Sequence, residues 1–223
     1  MAGSWELKQQ NQVVVEILHT EHTSVAWALG LRNLIVPGHI LPLTGMPFDH
    51  ARNAGAQACL ESGADWLFCY DSDIIPPHDA IVRLISRQKP IISGVYHRRS
   101  PPYGIPVMMK PVGMWIVDYP PNAIISVDVV GSGCLLIHRS VLERMQPDPR
   151  RPEKRWFDWR VDCKGLEGAV VEECLSEDFS FCARARKEYG YEILVDTSVQ
   201  CKHVGLAEAT HKALNPCQAN PRT

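Results

Sequence analysis

The stretch ADWLFCYDSDIIPP, residues 64–77, decides how this chain is read. Trp66 to Tyr70 is a short apolar, aromatic-rich run, the pattern of a strand buried in a parallel sheet. It runs directly into Asp71-Ser72-Asp73, and Pro76-Pro77 stop it. On an extended backbone side-chain direction repeats every two residues, so Asp71 and Asp73 point the same way. Two carboxylates held that close repel unless a cation lies between them. A hard divalent ion that also grips phosphate oxygens supplies such a cation. This is the only Asp-x-Asp in the chain, and it stands at the carboxyl end of a strand, where open α/β sheets bind ligands. The other reading is a solvated turn whose Asp side chains cap a helix starting near His78.

Upstream, Val13-Val14-Val15-Glu16-Ile17-Leu18 is a β-branched run and the expected first strand. It ends in the polar loop His19 to Thr23, ahead of a helix expected from Ser24 to Asn33. A short strand follows at Ile40 to Leu43. Asp49 reads as the N-cap of a helix over His50 to Ser62, with Ala51, Ala54, Ala58 and Cys59 as a small-residue stripe. Downstream, a helix is expected over Asp79 to Gln88 and a strand over Ile91 to Tyr96. This β-α-β-α-β-α-β order predicts an α/β fold with a mostly parallel sheet flanked by helices.

The second half changes character. Arg98 to Pro121 is rich in proline, glycine and tyrosine, with an alternation at Met114 to Val117 that suggests a hairpin or meander. Strands are expected at Val127 to Val130 and Cys134 to His138, around Gly131-Ser132-Gly133. A short helix at Ser140 to Met145 precedes a proline-, Arg- and Trp-rich loop from Asp148 to Lys164. A helix at Glu177 to Tyr189 and strands at Glu192 to Val195 and Val199 to His203 complete the pattern. No repeat or linker divides the 223 residues, so one domain over 1–223 is expected, with poorly ordered tails at 1–12 and about 207–223.

Composition narrows the class. The chain is 45% hydrophobic and 22% charged, enough for a full core, and its net charge of −2 argues against bulk nucleic-acid binding. No apolar run reaches membrane-spanning length and the first residues lack a signal-peptide core. The eight cysteines contain no Cys-x-x-Cys, which argues against a zinc knuckle or redox motif. A reduced, cytoplasmic protein is the expectation.

Three further features bear on chemistry. Arg52-Asn53 open a helix, where a cation opposes the helix dipole, so an anionic partner nearby would explain Arg52; a solvated surface arginine is the alternative. Glu177-Asp178 form an acidic pair at a helix N-terminus, which suits either capping or a general base that takes a proton from a hydroxyl. His203 ends the last strand; it is either a satisfied surface or core histidine or, with Asp73, part of an oxygen-and-imidazole set suited to Mn²⁺ or a similar ion.

The ordered set "ARN", "ADWLFCYDSDIIPP", "IISGVY", "GSGCLLIHR", "SEDFSFCARARKEYGYEI" and "CKHVG" resembles the GT-A-fold glycosyltransferases of the family 2 kind over about Val13 to Gly205. The resemblance implies a nucleotide-diphosphate sugar donor, a glycan or other hydroxyl acceptor, and Mn²⁺ or Mg²⁺. It implies that Asp71, Asp73 and His203 form the metal site, and that Asp71 and Ser72 border the nucleotide. Thr20 and Glu21 would border the nucleoside, Arg52 and Asn53 would hold the nucleotide, and Gly133 would approach the sugar. Asp178, with Glu177 beside it, would be the base of an inverting reaction. The chain departs from the family in lacking a QxxRW-type motif, which argues against a polymerase, and no C-terminal extension or membrane segment is expected. Trp156 and Arg155, in the loop after Asp148, are the candidate acceptor platform, the alternative being a surface loop with one Trp tucked into the core. Two other functions share the fold: a sugar nucleotidyltransferase, for which the first loop HTEHTS lacks the glycines, and a non-catalytic carbohydrate-binding scaffold.

Overall fold

The computed structural model describes residues 12–20, 22–101, 103–147, 155–162 and 173–205. In the first half the chain forms β1 (Val13–Leu18), α1 (Val25–Asn33), β2 (Gly38–Leu43), α2 (Phe48–Ser62), β3 (Trp66–Asp71), β4 (Ile74–Ile75), α3 (Ala80–Ser86) and β5 (Ile91–Val95). There follow β6 (Met108–Met109), β7 (Ile124–Val127), β8 (Val129–Val130), β9 (Cys134–His138), α4 (Arg139–Arg144), β10 (Arg160–Asp162), β11 (Glu173–Leu175), α5 (Glu177–Lys187), β12 (Ile193–Gln200) and β13 (Lys202–His203).

Seven strands make one sheet in the order β2-β1-β3-β9-β5-β12-β7. β1 pairs parallel with both β2 and β3, and β5 pairs parallel with β12. β9 runs antiparallel between β3 and β5, and β7 antiparallel on the edge beside β12. The result is the expected mixed, mostly parallel α/β sheet flanked by helices.

The pleat sorts β3 onto two cores. Trp66, Phe68 and Tyr70 pack with Trp27 of α1 and with Ile81, Leu84 and Ile85 of α3. Leu67 and Cys69 pack on the other face with Ala56 and Cys59 of α2, Val141 and Leu142 of α4, and Phe181 of α5. Each large apolar side chain buried this way contributes about 1.5–3 kcal/mol, and a strand buried on both faces explains its unbroken apolar sequence.

Several local expectations are corrected. α2 begins at Phe48 with Pro47 at the N-cap, so Asp49 sits inside the first turn. Its buried face is Ala51, Arg52, Gly55, Ala56 and Cys59, because the sheet, not the alanine stripe, fixes the rotation of the helix. Met114 to Val117 forms no strand of a hairpin or meander; an isolated bridge ties Met109 to Trp115. The loop after Asp148 contains β10, which pairs antiparallel with β11. The two expected terminal strands are one long strand, β12, whose register shifts between Val195 and Gln200, followed by the short β13. No helix among the described residues is long and apolar enough to cross a membrane.

Candidate functional site

A cleft of about 740 Å³ opens at the carboxyl ends of β1 and β3. One wall is Leu18, Thr20 and Asp71-Ser72-Asp73; the other runs from Leu43 to Phe48, between β2 and α2. Parallel register delivers the two ends together, since Leu18 stands opposite Asp71. Ser72 N–H donates to the Leu18 carbonyl at 3.0 Å, which closes the floor. Thr20 is exposed in this wall. Glu21 lies outside the described residues.

Asp71 is fixed on several sides. Its N–H donates to the Gly133 carbonyl at 3.3 Å, and its own carbonyl accepts from the Trp27 indole at 3.0 Å. The Arg52 guanidinium donates to its carboxylate. Arg52 also donates to Glu16 at 2.8 Å, and both side chains are buried. The anion that explains a cation in the first turns of α2 is therefore internal: Glu16 from β1 and Asp71 from β3. Burial alone works against its charge, yet Asp71 and Glu16 together hold the guanidinium firmly protonated. Arg52 is 1% exposed and does not line the cleft; its guanidinium supports Asp71 from behind. Burial in turn pushes the Glu16 carboxyl up to about 7, against the pull of Arg52. A Cβ at Gly55 would overlap the Glu16 carboxylate, so this glycine makes room for it.

Asn53 is likewise committed to structure. Its side chain donates to the Phe157 carbonyl at 2.6 Å and accepts from the Phe157 N–H at 3.2 Å. It tethers the segment after residue 155 to α2 instead of facing a donor.

Asp73 meets His203 because β13 pairs with β4, which places His203 opposite Ile74. The Val204 N–H donates to the Asp73 carbonyl at 2.6 Å, and His203 Nε2 stands 3.4 Å from the Asp73 carboxylate. Burial raises the Asp73 carboxyl, but the His203 imidazole and the Arg99 guanidinium outweigh it and hold the group below its ordinary value. His203 Nδ1 stands 2.7 Å from the His97 carbonyl, so Nδ1–H donates and Nε2 faces Asp73. Imidazoles that bind metals are oriented in this way. Among the described residues no three His, Cys, Asp or Glu side chains are grouped to hold a metal. The expected trio thus divides: Asp71 belongs to Arg52, and Asp73 with His203 gives a two-ligand pair.

Gly133 links Asp71 to the acidic pair of α5. A Cβ there would stand 2.8 Å from Ile74 and 3.0 Å from the Asp71 carboxylate, so only glycine fits this approach without displacement. Gly133 N–H donates to the Tyr96 hydroxyl at 3.1 Å. One residue earlier, Ser132 N–H donates to Asp178 Oδ2 at 3.2 Å. Asp178 Oδ1 accepts from the Phe179 N–H at 2.8 Å and from the Ser176 hydroxyl. Capping of α5 and a position beside Gly133 therefore coexist. Burial raises the Asp178 carboxyl despite those donors, and burial with the neighbouring Asp178 charge pushes Glu177 up to about 7. Neither Asp178 nor Glu177 lines the cleft, and the bond from the Ser132 N–H sets Asp178 beside Gly133.

The candidate acceptor residues are not placed as expected. Trp156 is 4% exposed, packs in the α2–α4–α5 core and donates its indole N–H to the Leu142 carbonyl at 2.9 Å. An indole so enclosed has no free face for a sugar. Arg155 offers its carbonyl to Arg184. The exposed indole of this segment is Trp159, at 46%. Trp156→Ala is accordingly expected to lower stability by about 3–5 kcal/mol. Thermal melting of this variant beside Trp159→Ala checks it, the latter shifting little.

Sequence reasoning gave no role to Glu16, Trp27, Tyr96 and Arg99. Glu16 carried a signal, as the lone charge inside a β-branched strand. Arg99 carried none.

No known family model matches the chain, and no curated protein matches it. Solved structures do. The crystal structure of A197 from STIV superposes with a TM-score of 0.61 at 14% identity, over 90% of this chain and 91% of that one. GalNAc-T7 with UDP, GalNAc and Mn2+ gives 0.47 at 10% identity, over 88% of this chain and 44% of the other. UDP-glucose pyrophosphorylase from acinetobacter baumanii gives 0.38 at 11% identity, over 75% and 56%. At this identity the likeness to A197 extends to the fold.

Proposed function

We propose that the chain is a metal-dependent glycosyltransferase that moves a sugar from a nucleotide-diphosphate donor to an acceptor hydroxyl with inversion. The observation that carries this reading is the meeting of Asp73 and His203 at the carboxyl end of β3, beside a cleft of nucleotide size. Asp73 and His203 would hold one side of Mn²⁺ or Mg²⁺, leaving the other positions to diphosphate oxygens and water. Bound there, the ion would neutralise charge on the departing diphosphate.

The chain's own residues do the rest. The nucleoside lies between Thr20 and the Leu43 to Phe48 wall. Asp71, set by Arg52 and Trp27, meets the ribose, and Gly133 lets the sugar approach the main chain. The Asp178 carboxylate takes the hydroxyl proton while the acceptor oxygen attacks the anomeric carbon. The bond from that carbon to the diphosphate oxygen breaks, and the diphosphate leaves with the bonding pair. Burial raises the Asp178 carboxyl, the direction that makes it a stronger proton acceptor.

Asp73→Ala is expected to abolish the Mn²⁺ dependence of nucleotide binding, and Asp71→Ala to weaken binding while some affinity remains. Calorimetry with UDP, GDP and dTDP, with and without Mn²⁺, reads both. Wild-type metal dependence in both variants contradicts the reading.

A further inference from the structure

Arg99 stands in the cleft wall with its guanidinium on Asp73, and its side chain is 56% exposed. Among the described residues lining the cleft it is the one with a permanent positive charge; the fixed negative charges there are Asp71 and Asp73. Arg52 offsets part of the Asp71 charge from behind, but it is buried and shared between two carboxylates, so it has no donor to offer a ligand in the cleft. A diphosphate placed against Asp71 and Asp73 therefore meets two carboxylates, and Arg99 is the arginine of the cleft wall exposed enough to reach it.

We propose that Arg99, paired with Asp73, is a diphosphate-binding residue that turns from this carboxylate to the phosphates when the donor binds. The inference rests on the functional reading above and adds a residue to it. The main chain that carries Arg99 is anchored, so the movement is confined to its side chain. Arg98 N–H donates to the Ile105 carbonyl at 2.8 Å, and the Arg98 guanidinium lies 5.2 Å from the centre of the Trp115 ring while donating to the Pro101 carbonyl at 3.1 Å. His97 is buried, and its carbonyl holds His203. An exposed arginine–carboxylate pair adds little to stability, so exchanging one anion for another is easy. The planar guanidinium also offers paired donors to a phosphate, which an ammonium cannot.

The exchange has a consequence for Asp73. A cation that leaves the carboxylate frees it for a divalent ion, so Arg99 and the ion compete for Asp73 until diphosphate binds, and act together once it is present.

The test measures two affinities of the full chain and of Arg99→Ala and Arg99→Lys. Calorimetry reads UDP, GDP, dTDP and inorganic pyrophosphate at saturating Mn²⁺, and electron paramagnetic resonance reads Mn²⁺ alone. Arg99→Ala is expected to weaken diphosphate binding about tenfold to a hundredfold, the range of a hydrogen bond to a charged group, with Arg99→Lys in between. Affinity for Mn²⁺ alone is expected to hold or rise, and the melting temperature to stay near that of the wild type. Unchanged diphosphate affinity in Arg99→Ala overturns the inference. So does a loss of affinity for Mn²⁺ alone, which would make Arg99 a support for the Asp73 site. If the wild-type protein binds none of the diphosphates, the functional reading fails first; if it binds and Arg99→Ala binds equally, this inference alone fails.

Discussion

Arg52→Met is expected to remove about 3–5 kcal/mol of stability, because it leaves a fully buried Glu16 without its counter-charge. At about 2–4 °C per kcal/mol for a chain of this size, the melting temperature falls by roughly 10 °C. A pH series identifies the cause. Burial raises the Glu16 carboxyl to about 7, so the folded chain keeps a proton that the unfolded chain has already lost. The stability tied to that proton is full below the ordinary carboxylate range and is lost as pH rises toward 7. Without Arg52 the carboxyl is raised further, so the deficit of the variant is expected to be small at pH 5 and largest at pH 8. Denaturant melts at both values check it. If Arg52 were instead an exposed nucleotide contact, the variant would melt like the wild type at either pH and lose only binding.

Asp178→Asn is expected to lower kcat by about 10²–10⁴-fold, the usual contribution of a positioned base, with donor affinity near that of the wild type. A group that acts only in the transition state affects rate and not ground-state binding. In the wild type the rate is expected to rise with pH through a value above the ordinary aspartate range, since the base works deprotonated and burial raises it. The acid limb should vanish in Asp178→Asn. Steady-state kinetics from pH 4 to 9 read both effects, and an unchanged kcat would remove Asp178 from the reaction.

Much of the fold was legible because the central strands announce themselves. VVVEIL, WLFCY and CLLIH are apolar runs bounded by polar loops or by Asp-x-Asp, and they are β1, β3 and β9. The carboxyl end of β3 was legible as a site for the same reason: a carboxylate pair is anomalous where a buried strand ends. What escaped depends on contacts between distant segments. The meeting of His203 with Asp73 was expected, but the two-residue strands β4 and β13, whose pairing produces it, have no pattern of their own. Arg52 near the start of a helix looks solvent-facing in one dimension, and its partners sit on two other elements. Trp156 and Trp159 are equivalent in composition; the packing of α2 against α4 and α5 decides which indole is enclosed. Arg99 lies in a proline-rich segment with no periodicity, so nothing in its neighbours showed that it would reach Asp73.

The proposed transfer is tested most directly by following nucleotide sugars with the protein and Mn²⁺ by proton NMR, without an added acceptor. Water then serves as the slow acceptor. One donor among UDP-, GDP- and dTDP-sugars is expected to yield nucleoside diphosphate and free sugar, the first sugar signal carrying the inverted anomeric configuration. Loss of Mn²⁺ or of Asp73 should stop the reaction. Retention at the anomeric carbon would rule out Asp178 as base in a single displacement, and no Mn²⁺-dependent binding or consumption of any donor would contradict the account as a whole.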